Sequence, residues 1–406
     1  MKVHFFVPTD APGINLDTVL RDAAGRKLLV PFDPVLINFV IAFGKSILLD
    51  RESRKYPELV VLGNFFRPAN IIKLRNSLAT DDSAACFGRG LVFHIAPSNV
   101  DSVFLYSSLL SLLCGNVNII RISRNVGSQL SFVLAKLAAV LNEFNLAGHF
   151  IVLTYDHDDA ITTLISTQCH MRVVWGGDTT VLKIRSLPQR PTASELCFPD
   201  RFSAAMLSAN AVNALDTDGL DELCGRFYND AIWFAQQACS SPRLVAWIGG
   251  LGDCAVARER FWQAFLQLLP HKDYENSPGM AMDRFVTACL VATEVSHRET
   301  SALEFPTRIL LDSTPLAATK NYHCGNGLFY EQFFHEAPAF LRTLSDQEQT
   351  LSVFGYSAQE MTQWLGELPM RSLDRITKIG QALDFGVIWD GTNLLQAFTR
   401  RISVQL

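Results

Sequence analysis

Apolar residues in this chain gather in short runs, separated by stretches whose apolar positions recur with helical spacing. Val, Ile, Leu and Phe crowd Glu58–Gly63 (ELVVLG), Gly90–Ile95, Val117–Ile122, His149–Thr154 and Met171–Trp175, and each run has the length of a strand. Between them, Ser102–Cys114 and Val126–Glu143 have the length and spacing of helices, the second closing near Asn145 and Gly148. A β-α-β-α order predicts a parallel sheet covered by helices on both faces, an α/β fold. Beyond the Pro-containing segment Ser186–Leu196, the expected domain boundary, FSAAMLSA reads as a strand or short buried segment. Asp218–Gln237 then reads as a helix and Arg243–Ile248 as the next strand. Asp374–Gln381 and a strand-like Phe385–Trp389 complete the pattern before a Gly-Thr-Asn turn and a final amphipathic piece.

Composition narrows the function classes. With 406 residues, 49% hydrophobic and 18% charged, the chain has ample material for a large core and is not disordered. The net charge is −5 and the 35 Lys and Arg are scattered, which argues against a nucleic-acid partner. The start, MKVHFFVPTDAPG, meets Pro8 and Asp10 before any long apolar core, so no signal peptide is expected and a cytoplasmic location is. Ser102–Ile120 is free of charge, but four serines, Gly115, Asn116 and Asn118 make it a buried helix running into a strand rather than a membrane span. Nine cysteines without CxxC pairing read as free thiols in a reducing compartment, and no metal site is expected. Asp156-His157-Asp158-Asp159 reads as a solvated loop, because adjacent residues cannot all face one ion.

Three places carry candidate chemistry. A free cysteine is ordinarily a small core residue, but Cys239 lies in the polar run QQACSSP at a helix-to-strand junction, where side chains are commonly presented to a cleft. A position just past a helix C-terminus raises a thiol's pKa, so a reactive Cys239 needs a neighbouring base, a bound cation or the positive nicotinamide ring. GRGLVFHIAPSNV runs from a strand into a Pro-Ser-Asn loop and then a helix, the place where an open parallel sheet binds a cofactor. There Asn99 is either an amide donor to a developing oxyanion or part of a turn and helix cap. VVWGGDTTV sets Gly176 and Gly177 between a strand and a helix, where a backbone can approach a nucleotide or simply turn. No G-x-G-x-x-G, P-loop or G-x-S-x-G motif is present.

In this order, from about residue 85 to the C-terminus, the segments resemble the aldehyde dehydrogenase superfamily. More narrowly they resemble the acyl-CoA reductase family typified by the fatty-acid reductase subunit of bacterial luminescence. IAPSN is similar to the strand-loop carrying the oxyanion-hole Asn, IIRIS to the strand approaching the adenine ribose, and VVWGGDTTV to the turn near the cofactor phosphates and nicotinamide. QQACSSPRLV resembles the nucleophile segment, and WDG (Trp389–Gly391) and FTR (Phe398–Arg400) resemble the tail of the narrower family.

The resemblance implies a Rossmann-like cofactor domain over residues 1–190, with residues 1–85 matching no pattern, and an α/β catalytic domain over 191–370. A segment 371–406 is then expected to return to the cofactor domain or to make an oligomer contact. Cys239, Asn99 and Glu195 are the implied catalytic residues, although the Glu-Leu-Gly-Gly of general aldehyde dehydrogenases reads Glu195-Leu196-Cys197-Phe198 here. Ala96, Pro97, Ser98, Arg121, Ser123, Gly176 and Gly177 are the implied cofactor contacts. The expected activity is NADPH-dependent reduction of an acyl thioester, acyl-CoA or acyl-protein, to an aldehyde through a Cys239 acyl-enzyme, with NADH as the alternative cofactor. An acyl-protein synthetase partner and self-association are implied as well. The competing readings are an aldehyde dehydrogenase that produces an acid and a cofactor-free acyl-transfer subunit.

Overall fold

The computed structural model describes residues 3–8, 15–78, 84–97, 103–124, 126–272, 274, 276–301, 303–312, 319–368 and 371–405. It divides into one compact unit of Met1–Pro199 with Phe385–Leu406, and a second of Asp200–Asp384. The fold is α/β with largely parallel sheets.

The first unit begins with β1 (His4–Val7), α1 (Leu16–Gly25), α2 (Pro34–Leu48), α3 (Pro57–Phe65) and α4 (Pro68–Leu78). There follow β2 (Ala84–Gly88), β3 (Leu91–Ile95), α5 (Val103–Leu113), β4 (Val117–Arg121), α6 (Ser128–Glu143), β5 (Phe150–Thr154), α7 (Asp159–Gln168), β6 (Met171–Trp175), α8 (Asp178–Arg185) and β7 (Ser194–Phe198). The sheet runs β1-β5-β4-β3-β6-β7, parallel except for β1. Strands buried on both faces are apolar at most positions, which is why these read as near-continuous runs; His94, Asn118 and Arg172 are buried exceptions. Alternate residues serve different cores: Val92 and Ile120 pack with α2, α5 and α6, whereas Phe93 and Ile119 pack with α1 and α7.

ELVVLG is a helix, not the expected strand. Pro57 occupies the first helical turn, where its missing N–H costs nothing, and Glu58 meets the positive end of the dipole. Leu59, Leu62 and Gly63 are buried with helical spacing. A Cβ on Gly63 would lie 3.1 Å from the Gly44 carbonyl oxygen, so α2 and α3 approach closely through their glycines. A short apolar run fits either structure, and tertiary packing decides it.

The second unit contains β8 (Phe202–Ser208), α9 (Ala209–Asn213), α10 (Thr217–Ala231), β9 (Leu244–Ile248), α11 (Leu251–Leu268), α12 (Pro278–Glu294), β10 (His297–Thr300), β11 (Thr307–Leu311), β12 (Leu328–Phe334), α13 (Ala337–Leu341), β13 (Glu348–Phe354), α14 (Ala358–Gly366) and β14 (Arg375–Lys378). Its sheet order is β10-β11-β12-β9-β8-β13-β14, parallel apart from β10. The unit boundary falls at Pro199 rather than in Ser186–Leu196, because that segment leads into β7, which is hydrogen-bonded along β6.

The chain re-enters the first unit at Phe385 rather than at residue 371, since β14 still belongs to the second sheet. There β15 (Ile388–Trp389), β16 (Thr392–Asn393), α15 (Leu394–Ala397) and β17 (Thr399–Ser403) follow, with β17 antiparallel to β2. Phe385 stacks on Tyr106 at 4.5 Å, and Leu394, Leu395 and Phe398 are buried in the core that contains α5. Among the described residues, no helix is long and apolar enough to cross a membrane.

Candidate active site

In the first unit β3, β4 and β5 are laid down successively in one direction, and β6 then adds to the other side of β3. The gap between the C-terminal ends of β3 and β6 is therefore a topological switch point, where open α/β sheets bind ligands. Ala96 and Pro97 leave β3 there, Arg121 ends β4 with Ser123 just beyond, and Gly176 and Gly177 leave β6. The Ala96 N–H donates to the Arg121 carbonyl at 2.9 Å, joining the two strand ends. Ser98 and Asn99 lie outside the described residues.

Several features of this edge suit a phosphate-bearing ligand. Gly177 is the N-cap of α8 and offers no side chain to its first-turn amides, which leaves them available to an anion. A Cβ on Gly176 would come within 3.1 Å of Thr180, so the glycine keeps the turn tight. The Arg121 guanidinium sits 5.2 Å from the centre of the Tyr155 ring, and its buried Nε has no hydrogen-bond partner. Glu195, by contrast, is committed within its own unit. On β7 its carboxylate pairs with the buried Arg172 at 2.5 Å and with Arg185 at 3.3 Å. Asp158 of the acidic cluster caps α7, accepting from Ala160 and Ile161, and Asp156 pairs with Arg124.

In the second unit α10 ends at Ala231, short of the expected Gln237. The chain turns through Phe234, Ala235 and Gln236, all with positive φ, before Cys239. Cys239 is thus not on the last helical turn, where the dipole opposes a thiolate most strongly. The left-handed turn is held from outside. Buried Gln236 donates to the Pro242 carbonyl at 2.9 Å and accepts from Gly327 N–H at 3.0 Å, and Ala235 O accepts from Asn326 N–H at 2.7 Å. Gln237 donates to the Cys324 carbonyl at 2.8 Å.

Cys239 is exposed at the N-terminal ends of β8 and β9, and its carbonyl accepts from Ser203 Oγ at 2.6 Å. Arg243, nearly buried just before β9, donates to His323 Nε2 at 3.0 Å and to the Arg201 carbonyl at 3.2 Å. Burial depresses the Arg243 pKa, while the charges of Cys239, Asp200 and Cys324 favour its charged form. A cation therefore lies near the Cys239 thiol. Burial, with Arg243 beside it, pushes His323 down to about 4, so its ring is neutral at physiological pH and accepts a hydrogen bond from the guanidinium. Burial pushes the thiols of Cys169, Cys197 and Cys254 up to about 11 and that of Cys224 to about 12, which disfavours their thiolates. Arg243 and His323 escaped the sequence reading, His323 because it lies far along the chain in no motif. Arg243, four residues after the cysteine, was legible as a nearby cation.

Residues 72–255 match the model of the acyl-CoA reductase (LuxC) family, a span that includes both the β3–β6 edge and the Cys239 turn. No curated protein sequence matches the chain. Among solved structures it is similar to an NAD-dependent benzaldehyde dehydrogenase from Corynebacterium glutamicum, with 13% identity over 99% of this chain and 92% of that one and a TM-score of 0.67. Aldehyde dehydrogenase 21 from Physcomitrella patens is similar at 11% identity over 99% and 94%, TM-score 0.67. The glyceraldehyde-3-phosphate dehydrogenase GapN from Methanocaldococcus jannaschii, complexed with NADP, is similar at 13% over 98% and 96%, TM-score 0.64. Residues 72–255 are thus similar to the acyl-CoA reductase (LuxC) family, and the chain has the aldehyde dehydrogenase fold.

Proposed function

We propose that this protein reduces an acyl thioester, delivered as acyl-CoA or acyl-protein, to an aldehyde through a covalent acyl group on Cys239, with NADPH as the reductant. The observation that carries this reading is an exposed cysteine on a rigidly held turn beside a buried arginine, in a fold whose structural relatives include NAD- and NADP-binding enzymes. The Arg243 charge favours the thiolate, which attacks the thioester carbonyl. Ser203 holds the Cys239 carbonyl and so fixes the peptide on which the nucleophile sits. The Cys239 N–H and the Asn99 amide are the proposed donors to the oxyanion, whose collapse expels the carrier thiol.

Ala96, Pro97, Ser98, Arg121, Ser123, Gly176 and Gly177 would hold a reduced nicotinamide, which would supply the hydride for bringing the acyl carbon to the aldehyde level. Arg121 suits an additional ribose phosphate and is the ground for naming NADPH before NADH. A thiol leaves without strong general-base help, so Glu195 is given a positioning role through Arg172. A cytoplasmic location, self-association and an acyl-protein synthetase partner complete the proposal.

The test is NADPH consumption with a panel of acyl-CoA thioesters, combined with intact mass of the protein and of Cys239→Ala. Turnover with a Cys239-dependent acyl adduct is expected. An adduct without NADPH use would instead indicate an acyl-transfer subunit, acid formation from aldehyde would indicate the oxidative enzyme, and the absence of any adduct would remove Cys239 as nucleophile.

A further inference from the structure

At the opposite end of the first sheet, Gly90 and His170 immediately precede β3 and β6, about 16 Å along those strands from the switch point. They line a cavity of about 450 Å³ that also takes in Arg26, Arg89 and Arg400 and no carboxylate. A fourth arginine, Arg190, reaches His170 Nε2 at 2.7 Å. None of these four guanidinium groups has a carboxylate partner among the described residues.

The site is rich in donors and poor in acceptors. The Leu91 N–H faces His170 Nδ1 at 3.0 Å while Arg190 faces Nε2, yet a neutral imidazole accepts on only one of its nitrogens. The ring is held there by the backbone: Gly90 has φ +125, and a Cβ on it would lie 2.6 Å from Nδ1. The Gly90 N–H is itself fixed by the buried Asn116 side chain at 2.9 Å. Burial, and then the charges of Arg190 and Arg400, hold His170 below its ordinary pKa. An anion would supply the missing acceptors and offset the gathered positive charge.

We propose that this cavity is a second ligand site, for a phosphate-bearing small molecule with at least two negative charges, separate from the cofactor edge. Its volume suits a small organic phosphate or diphosphate better than a single inorganic ion, and arginine forks match phosphate oxygens.

The experiment is calorimetric titration at low ionic strength with inorganic pyrophosphate, inorganic phosphate and citrate. It uses the full chain, an Arg26→Gln/Arg400→Gln double variant and Arg121→Gln. Arg26 and Arg400 are exposed, so the double variant is expected to fold, which an unchanged melting temperature verifies. Saturable pyrophosphate binding is expected in the wild type and in Arg121→Gln, weakened roughly tenfold or more in the double variant. Phosphate and citrate are expected to bind more weakly than pyrophosphate. Absence of binding, binding unaffected by the double variant, loss in Arg121→Gln alone, or citrate binding as tightly as pyrophosphate would each overturn the proposal.

Discussion

Arg243 donates from its guanidinium to His323 Nε2 at 3.0 Å, which fixes the cation beside Cys239. Arg243→Met keeps the apolar stem and removes the charge. Alkylation of Cys239 by iodoacetamide at neutral pH is expected to slow by roughly tenfold, with its pH midpoint moving upward, because an opposite charge favours the thiolate. Cys289, the other exposed thiol, is the internal control and should react unchanged. Equal rates for Cys239 in both proteins would show that Arg243 does not activate it.

The unpartnered Nε of Arg121 at the end of β4 predicts a cofactor effect. Arg121→Gln is expected to raise the KM for NADPH by roughly tenfold while affecting NADH less, since one charge-assisted contact to a phosphate is lost. Steady-state kinetics with both cofactors would decide it. An equal rise for the two would assign Arg121 to a part of the cofactor that they share.

Gly325 joins the loop 325–327 to the Cys239 turn. Its φ is +67, and a Cβ would lie 2.5 Å from Gln237 Nε2. Gly325→Ala should cost about 1–2 kcal/mol from the left-handed backbone alone. It should also displace Gln237, lowering both the melting temperature and acylation of Cys239. Thermal unfolding together with adduct formation measured by mass would register the two effects, and a fully acylated variant would separate the loop from the chemistry.

Asp230 of α10 is buried, accepting from Gly380 N–H at 2.7 Å, Ala382 N–H at 2.8 Å and Ser352 Oγ at 3.3 Å, and burial raises its pKa from 3.8 to about 6. The folded state therefore holds the proton to a higher pH than the unfolded chain does. The stability that this contributes is complete below pH 3.8, falls as pH rises toward about 6, and is absent above. Across that window the melting temperature of the wild type should fall relative to that of Asp230→Asn. A difference independent of pH would show that the carboxyl group titrates normally.

Much of the first unit was legible. Leu91–Ile95, Val117–Arg121, Phe150–Thr154 and Met171–Trp175 are strands close to where their apolar runs predict them, because a doubly covered sheet is apolar at most positions. ELVVLG misled for the same reason, since composition alone does not separate a buried strand from a short buried helix; Pro57 and the Gly44–Gly63 approach settle it. The helix predicted over Asp218–Gln237 stops at Ala231 although residues 232–237 carry no strong helix breaker. Their left-handed turn is imposed by hydrogen bonds from Asn326 and Gly327.

The alternation of strands and helices, the polar setting of Cys239 and the glycines after β6 are all encoded by neighbours in the chain. Long-range contacts alone set β6 beside β3 to make the switch point, bury Arg243 with His323 near the thiol, and bring Arg26, Arg89 and Arg400 to the cavity that His170 lines. Strand order, burial and the company of charges depend on contacts between residues far apart in the chain, and those contacts leave no local periodicity to read.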